Sequence, residues 1–215
     1  MQLLLLIIHK ILSYFNFSVF FFLQAGVNVV ATTGRVGQSL LLNDSSAYFQ
    51  AGGFTLLGVW GQPYSISLWV NKPPSTSPGG TLVHVSGSSN GTLWCIPMLG
   101  LSSLDEIIGQ SWNSSMIDVI GPVLQAGVWN HIVTSYSMTN GVRLWINGTL
   151  MGSSPTFTYA ASSSPNWITV GTTFPAAMSC AHGSVSVGQF YGMIDELRVY
   201  SRELTASDVS ALANP

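Results

Sequence analysis

The chain has 215 residues, of which 7% are Asp, Glu, Lys or Arg, and its formal net charge at pH 7 is −2. An average soluble domain carries about 25% charged residues, so neutral polar side chains must solvate most of this surface. The sequence has no cluster of Lys or Arg of the kind that nucleic-acid binding requires, which excludes a nucleic-acid partner. The length fits one domain of β-sandwich or β-barrel size.

The first 26 residues form a hydrophobic N-terminal segment. An apolar run over residues 11–23 precedes the small residues Ala25 and Gly26, as in a secretory signal peptide. We therefore predict a secreted, extracellular protein. Two alternatives stay open for residues 1–26. One is a single-pass membrane anchor, which the central His9 and Lys10 disfavour. The other is a gene-model artefact, because FFFLQ is what a translated pyrimidine tract ending in CAG would encode. Residues 27–34 are predicted to be a linker.

Beyond residue 34 the pattern is one of short strands separated by turns. In YSISLWV, residues 64–70, bulky residues at even positions alternate with Ser and Trp at odd positions, the period of a half-buried strand. Asn90-Gly91 between two apolar runs predicts a hairpin, and Asn140-Gly141 and Asn147-Gly148 predict a three-stranded meander with type I′ turns. Further strands are expected around residues 39–42, 48–51, 107–112, 167–171 and 193–200. This spacing favours an all-β, two-sheet antiparallel β-sandwich.

Helix signals are confined to the C-terminus. Thr205 can cap a short helix over residues 206–212, with Asp208 at the third helical position and Leu204 placed to contact Val209. We predict a helical turn there, followed by a tail that ends at residue 215.

Cysteines and glycosylation motifs agree with secretion. Cys95 and Cys180 are the two cysteines of the chain and can form a disulfide in an oxidising compartment; two separate buried thiols are the alternative. Four N-x-S/T acceptor sites lie beyond the apolar segment, at Asn43, Asn90, Asn113 and Asn147.

No pattern in the sequence predicts catalysis. Residues 87–91 match G-x-S-x-G, but that motif works in a strand-to-helix turn, whereas here it lies in a predicted β-hairpin. Glycosidase chemistry needs two carboxylates across a cleft, and the acidic residues form no such array along one strand. Cys180 and His182 are too few ligands for a zinc site. We therefore expect no enzymatic activity.

Tryptophan is abundant, with seven residues in the chain. Trp69 and Trp145 each lie on the strand face opposite a run of aliphatic side chains, so a second sheet must cover them or they must be partly exposed. Because flat rings stack on sugars, we predict Trp69 and Trp145 as ligand-binding residues.

The segment GMIDELRVYSREL, residues 192–204, concentrates the charge of the chain. Strict alternation in MIDELRVY places Asp195 on one face with aliphatic residues, and Glu196 beside Arg198 on the other. A carboxylate that points at a core needs a partner. For Asp195 the candidates are backbone N–H groups, an arginine or a calcium ion.

The blocks YSISLWV, WNHIVTSYSMTNGVRLWINGTL and GMIDELRVYSREL, in this order and spacing, resemble the laminin-G-like jelly-roll domains of the concanavalin A-like lectin and glucanase superfamily. The resemblance covers about residues 34–204, and we place the domain at residues 35–205. It implies a jelly roll of two antiparallel sheets that acts as a binding or adhesion module. It also implies a structural calcium at Asp195, with Asp44 as the candidate second carboxylate.

The functional expectation is therefore a non-enzymatic extracellular module that binds a glycan or protein ligand through a sheet face or its rim loops. The alternatives are a glycoside hydrolase of the glucanase branch and a purely structural spacer. Calcium is the one cofactor expected, and membrane contact is expected only through residues 1–26 if they are not cleaved.

Overall fold

Two antiparallel sheets make up most of the described chain. A computed structural model describes residues 23–74 and 77–215. The strands are β1 (Leu23–Val27), β2 (Val30–Thr33), β3 (Gln38–Leu42), β4 (Tyr48–Phe54), β5 (Tyr64–Asn71), β6 (Gly80–Ser86), β7 (Cys95–Leu101), β8 (Glu106–Trp112), β9 (Met116–Val123), β10 (Asn130–Ser137), β11 (Gly141–Ile146), β12 (Thr149–Ser153), β13 (Asn166–Val170) and β14 (Gly192–Tyr200). A short helix, α1 (Ala206–Leu212), follows the last strand.

The first sheet has the order β1-β4-β13-β6-β7-β8-β9, and the second has the order β12-β11-β10-β5-β14-β3-β2. Each sheet therefore has seven strands among the described residues, and the predicted all-β sandwich with its jelly-roll class is confirmed. Apolar side chains of both sheets meet in one core, which includes Leu82, Val85, Ile96 and Leu99 of the first sheet and Ile66, Leu68, Ile132 and Leu144 of the second.

The two central strands of the second sheet show why the alternation predicts the fold. Even-numbered residues of β5, such as Ile66 and Leu68, lie in the core. They pair antiparallel with Thr134 and Ile132 of β10, which agrees with the antiparallel sheets predicted for the sandwich. Odd-numbered residues of β5 point away from the core, onto the outer face of the sheet.

Of the two turns predicted to be type I′, the structure confirms one and changes the other. Asn147 and Gly148 both have positive φ, +48° and +83°, as a type I′ turn requires. At the first turn of the meander only Gly141 does, with φ of +66°. β6 and β7 pair antiparallel as predicted, and residues 87–94 form the loop between them.

The C-terminal helix is as predicted. Thr205 and Asp208 form a reciprocal capping box at its start. Leu204 and Val209 are buried in a small cluster with Val133 and Trp145 on the outer face of the second sheet. The helix therefore docks on this face and covers it.

The segment predicted as a linker is structured. Within residues 27–34, β2 pairs with β3 and extends the second sheet, which corrects the linker prediction for these residues. β1 pairs with β4 at the edge of the first sheet. The signal peptide, anchor and gene-model alternatives concern residues 1–26; of these, residues 1–22 lie outside the described residues, and residues 23–26 belong to β1. In the described chain, none of the helices has the length and hydrophobicity to cross a membrane.

Substitution Val209→Ala should lower the free energy of unfolding by about 2 kcal/mol, because it removes two fully buried methyl groups and leaves a cavity over Trp145. Urea unfolding measures the change. Ser210→Ala, at the exposed neighbouring position, is the matched control and should change stability by less than about 0.5 kcal/mol. Equal effects of the two substitutions would contradict a docked helix.

Candidate functional site

Trp69, predicted to bind ligand, is buried on the outer face of the second sheet with 5% of its surface exposed. The Arg35 guanidinium carbon lies 5.0 Å from its ring centroid, and the centroids of Trp69 and His131 are 5.1 Å apart. Arginine over an indole face is a favourable cation–π arrangement. A sugar therefore cannot stack on Trp69 while Arg35 covers the ring.

Trp145 is also buried, with 6% exposed. Its ring packs with Leu204 and Val209, and its Nε1 donates a hydrogen bond of 3.3 Å to Ser135 Oγ. The expectation of an open aromatic face at Trp69 and Trp145 is corrected, because the chain's own C-terminal helix and the turn around Arg35 cover this face.

The strand that carries Asp195 departs from simple alternation. A register shift lies between Asp195 and Arg198, and Glu196 has a φ of +49°, so β14 contains a bulge. Asp195 pairs with Trp69 and shares its outer face, whereas Leu197 points into the core. This corrects the prediction that Asp195 points with the aliphatic residues. The predicted ion pair between Glu196 and Arg198 is present.

Backbone N–H groups hold the Asp195 carboxylate. Oδ2 accepts a 2.9 Å bond from Val36 N, and Oδ1 accepts a 2.8 Å bond from Glu196 N. Burial raises the pKa of Asp195, and these backbone bonds oppose the rise. Gly34 is required beside it, since a Cβ at that position would lie 2.4 Å from Asp195 Oδ2. Asp195 therefore ties the turn between β2 and β3 to the centre of the sheet.

These contacts do not fit a calcium ion at Asp195. Both carboxylate oxygens already accept backbone hydrogen bonds. Asp44, the candidate second carboxylate, is exposed and accepts bonds from the backbone N and Oγ of Ser46. Among the described residues, Asp195 belongs to no group of three His, Cys, Asp or Glu side chains whose ligand atoms converge. The described donors therefore lend the predicted calcium at this residue no support.

His131 is a second buried polar group on this face. Its Nε2 lies 2.9 Å from Ser67 Oγ. Burial, followed by the charge of Arg198, lowers the pKa of His131 from 6.5 to about 4. Because this environment disfavours the protonated form, the imidazole of His131 is neutral at pH 7.

An open pocket lies at one end of the first sheet, beside the loop that joins β6 and β7. Its volume is about 290 Å³. The lining residues come from that loop, the ends of β7 and β8, and the segment after β13: Thr92, Leu93, Trp94, Cys95, Ile96, Trp112, Ser179, Cys180 and Ala181. We call this the tryptophan pocket, because Trp94 and Trp112 are its two aromatic residues and both are half-buried.

The aromatic walls of the tryptophan pocket are held in place by the core. The Trp94 ring packs edge-on against Tyr159, with centroids 5.8 Å apart. The carbonyl of Trp112 accepts a 2.9 Å bond from Ala160 N. Leu93 has a φ of +69° and is 73% exposed. A leucine in the left-handed region is strained, and here that backbone conformation accompanies an exposed apolar side chain in the lining.

The predicted disulfide between Cys95 and Cys180 is present and forms part of the pocket wall. It joins residues 85 positions apart and fixes the segment after β13 against the start of β7. The ligand atoms of His84 and both cysteines lie within 4.8 Å of one another. The sulfurs are consumed in the disulfide, so this group offers no thiolates to a metal.

None of the described residues that line the tryptophan pocket is charged. The pocket combines two indole surfaces and a leucine with the hydroxyls of Thr92 and Ser179. Ligand sites of this kind take a largely apolar surface and use a few polar groups to fix orientation. The chemistry suits a neutral ligand with one flat apolar face and hydroxyl groups.

All four predicted glycosylation asparagines, Asn43, Asn90, Asn113 and Asn147, are exposed. Asn90 lies next to the tryptophan pocket in sequence, and its Oδ1 accepts a bond from Thr92 N. Glycosylation stays a prediction at each position.

Sequence reasoning missed Trp94 and Trp112. The available signal was the hairpin of β7 and β8, in which Leu99 pairs with Gly109 and the start of β7 therefore lies beside the end of β8. The sequence alone does not give the register of β7 and β8. The proximity of Trp94 and Trp112 was therefore not predicted.

Replacing both cysteines, Cys95→Ala with Cys180→Ala, should lower the free energy of unfolding by about 4 to 5 kcal/mol, since the bond closes a long loop. Urea unfolding tests this. Reduction of the wild-type protein should lower stability by a similar amount and should not affect the double variant. A loss below about 1 kcal/mol would contradict the structural role of the bond.

The lowered pKa of His131 predicts a loss of stability in acid. In the unfolded state His131 binds a proton below pH 6.5, whereas in the folded state it resists protonation until about pH 4. The contribution of neutral His131 to the free energy of unfolding is therefore complete above pH 6.5 and is lost as the pH falls from 6.5 to 4. The expected loss is about 3 kcal/mol. Unfolding curves from pH 7 to pH 4 should fall less steeply for His131→Gln, and parallel curves would contradict the prediction.

Comparison with known proteins supports the architecture. A laminin-G family model, described as the concanavalin A-like lectin/glucanases superfamily, matches residues 43–210. No curated protein matches the chain. Among solved structures, domain 4 of AbnA, a GH43 extracellular arabinanase from Geobacillus stearothermophilus, in complex with arabinotriose, is similar with a TM-score of 0.56 and 22% identity. That match covers 89% of this chain and 84% of that one.

Two toxin domains are also similar. The receptor binding domain of botulinum neurotoxin D matches with a TM-score of 0.64 and 14% identity, over 91% of this chain and 48% of that one. The binding domain of Paraclostridial Mosquitocidal Protein 1 matches with a TM-score of 0.61 and 17% identity, over 91% and 47%. This chain thus spans about half of each toxin domain, and such identities show the fold alone. With a family match over most of its length, the chain belongs to the concanavalin A-like lectin/glucanase superfamily.

Proposed function

We propose that this protein is a non-enzymatic extracellular binding module that takes a neutral glycan in the tryptophan pocket. The observation that carries the proposal is the pairing of the half-buried rings of Trp94 and Trp112 in an open, uncharged pocket. The less polar face of a sugar ring stacks on an indole, and the hydroxyls of Thr92 and Ser179 lie where they can bond to the sugar's own hydroxyls.

The lining of the pocket also argues against hydrolysis. A glycosidase places two carboxylates about 5 to 10 Å apart around the scissile bond, and the described lining residues include no Asp or Glu. The fold itself does not choose between these functions, because one fold supports many activities. The proposal therefore depends on the chemistry of the pocket.

Two features support an extracellular location. The disulfide between Cys95 and Cys180 is characteristic of oxidising compartments. The four exposed acceptor asparagines are compatible with glycosylation in the secretory pathway.

Binding to an array of neutral and anionic glycans, including arabino-oligosaccharides such as the arabinotriose in the structure of the related arabinanase domain, tests the proposal. Trp94→Ala should weaken binding of a neutral glycan at least tenfold, as expected for loss of a central aromatic contact. Ser179→Arg should also block binding, because it fills the pocket from an exposed position without touching the core.

Trp60→Ala is the matched control. Trp60 is 61% exposed and lies outside the pocket lining, so its loss should leave binding unchanged. If both Trp94→Ala and Ser179→Arg retain glycan binding, the proposal that the glycan binds in the tryptophan pocket is refuted. Binding by a protein ligand alone, or by none of the probes, would instead favour the adhesion or spacer alternatives.

A further inference from the structure

The disulfide between Cys95 and Cys180 lies beside a buried histidine that is not part of the tryptophan pocket lining. His84 on β6 pairs with Pro97 of β7, and Ser86 pairs with Cys95. Since side chains two positions apart on a strand share a face, His84 and Cys95 lie on the same face of the first sheet. A ring nitrogen of His84 and the two sulfurs lie within 4.8 Å of one another. The fold therefore brings one imidazole and two sulfurs together from β6, β7 and the segment after β13.

The hydrogen bond of His84 determines which ring nitrogen carries the proton. Nε2 lies 3.0 Å from the carbonyl oxygen of Gly91, and because a carbonyl can only accept, Nε2 is the protonated nitrogen. Nδ1 is therefore an unprotonated acceptor, and it is buried without a hydrogen-bond partner among the described residues. Burial lowers the pKa of His84, so the ring is neutral at pH 7. Metal-binding histidines commonly have one ring nitrogen bonded to a carbonyl and the other free.

The two sulfurs can be reached through the tryptophan pocket. Cys95 and Cys180 are both half-buried, and both line this open pocket. A small dithiol can therefore attack the bond by thiol–disulfide exchange. The dithiol is oxidised to its own disulfide, and the bond between Cys95 and Cys180 takes up two electrons and two protons. Reduction thus replaces a disulfide, which cannot bind a metal through thiolates, by two thiols beside His84.

We infer that, once this disulfide is reduced, His84, Cys95 and Cys180 bind a zinc ion. Two thiolates and an imidazole are ligands that zinc prefers, and a site with three protein ligands leaves the fourth position to water. Binding displaces one proton from each thiol, so the two thiolate charges balance the charge of Zn²⁺. A site with no net charge suits this pocket, since its described lining residues include no charged side chain.

The disulfide and the zinc ion are alternative links between the same segments. The disulfide joins the segment after β13 to the start of β7, and zinc bound to both cysteines joins them again through the metal. The chain therefore has two mutually exclusive states, an oxidised state with the disulfide and a reduced state with zinc. Zinc should stabilise the reduced protein and have no effect on the oxidised one, because a ligand stabilises only the state that binds it.

Metal titration of the whole protein, reduced with a phosphine and kept under anaerobic conditions, tests this inference. Cobalt(II) is the first probe, because a bond between cobalt and a thiolate gives a charge-transfer absorption. The reduced wild type should bind one Co²⁺ with this absorption, and Zn²⁺ should displace it. At a zinc concentration of about 100 times Kd, Tm of the reduced protein should rise by about 5 to 10 °C. The oxidised protein should show neither effect.

Three variants identify the ligands. The double variant Cys95→Ser with Cys180→Ser should lose the cobalt–thiolate absorption completely. His84→Gln should weaken zinc binding to the reduced protein by at least about tenfold, since it removes one of three protein ligands. His182→Gln is the matched control: His182 is an exposed histidine two residues after Cys180, and its loss should leave zinc affinity unchanged.

Two outcomes would overturn the inference: no cobalt–thiolate absorption in the reduced wild type, or equal zinc affinities of the reduced wild type and His84→Gln. If His84→Gln does not fold, the ¹⁵N chemical shifts of the His84 imidazole in the reduced wild type decide instead. A change on addition of zinc identifies His84 as a ligand, and unchanged shifts exclude it. None of these measurements involves a glycan, so failure of this inference is distinguishable from failure of the proposed function.

Discussion

The covalent bond between Cys95 and Cys180 is the constraint on which the tryptophan pocket depends. It fixes the long segment between β13 and β14 against the start of β7. Ser179 and Ala181 flank Cys180 and line the tryptophan pocket, while Gly183 and Ser184, a few residues further, cover Gln110 and Asp118. Loss of the bond would free one wall of the pocket, together with the segment that covers Gln110 and Asp118.

The second sheet is closed to ligands for a different reason. Its inner face packs in the core, and its outer face is covered by α1 and by the turn that Asp195 holds. When both faces of a sheet are buried, the polar side chains on them need hydrogen-bond partners. The backbone bonds to Asp195 and the contact between Ser67 Oγ and His131 Nε2 provide part of this pairing. Under the proposed function, the ligand therefore binds at the end of the first sheet and not at the aromatic residues of this sheet.

The charged segment of residues 192–204 has a structural role in this arrangement. Asp195 anchors the turn that carries Arg35 over Trp69. Glu203 contacts Arg143 and Asn140, and Asp208 takes part in the helix cap. The charges therefore close the outer face of the second sheet, where they secure the last strand and the helix.

Much of the fold was predictable because its signals are local. Period-two alternation in β5 and β10, the Asn147-Gly148 turn and the Thr205 cap are each encoded within a few residues. The Cys95–Cys180 bond was predictable as a pairing, since the chain has two cysteines. The bulge at Glu196 was not, because one residue in a positive-φ conformation reverses the face of its neighbours, and no sequence pattern marks it.

The sequence by itself therefore determined the class of the fold, most of its strands, its helix and its disulfide, because these follow from short-range periodicity and from residue chemistry. Only the tertiary structure decided which aromatic residues are available to a ligand. Trp69 and Trp145 have the local pattern of exposed residues but are covered by segments remote in sequence. Trp94 and Trp112 become a pocket only through the register of β7 and β8. Exposure depends on what packs against a face, and that is set by long-range contacts.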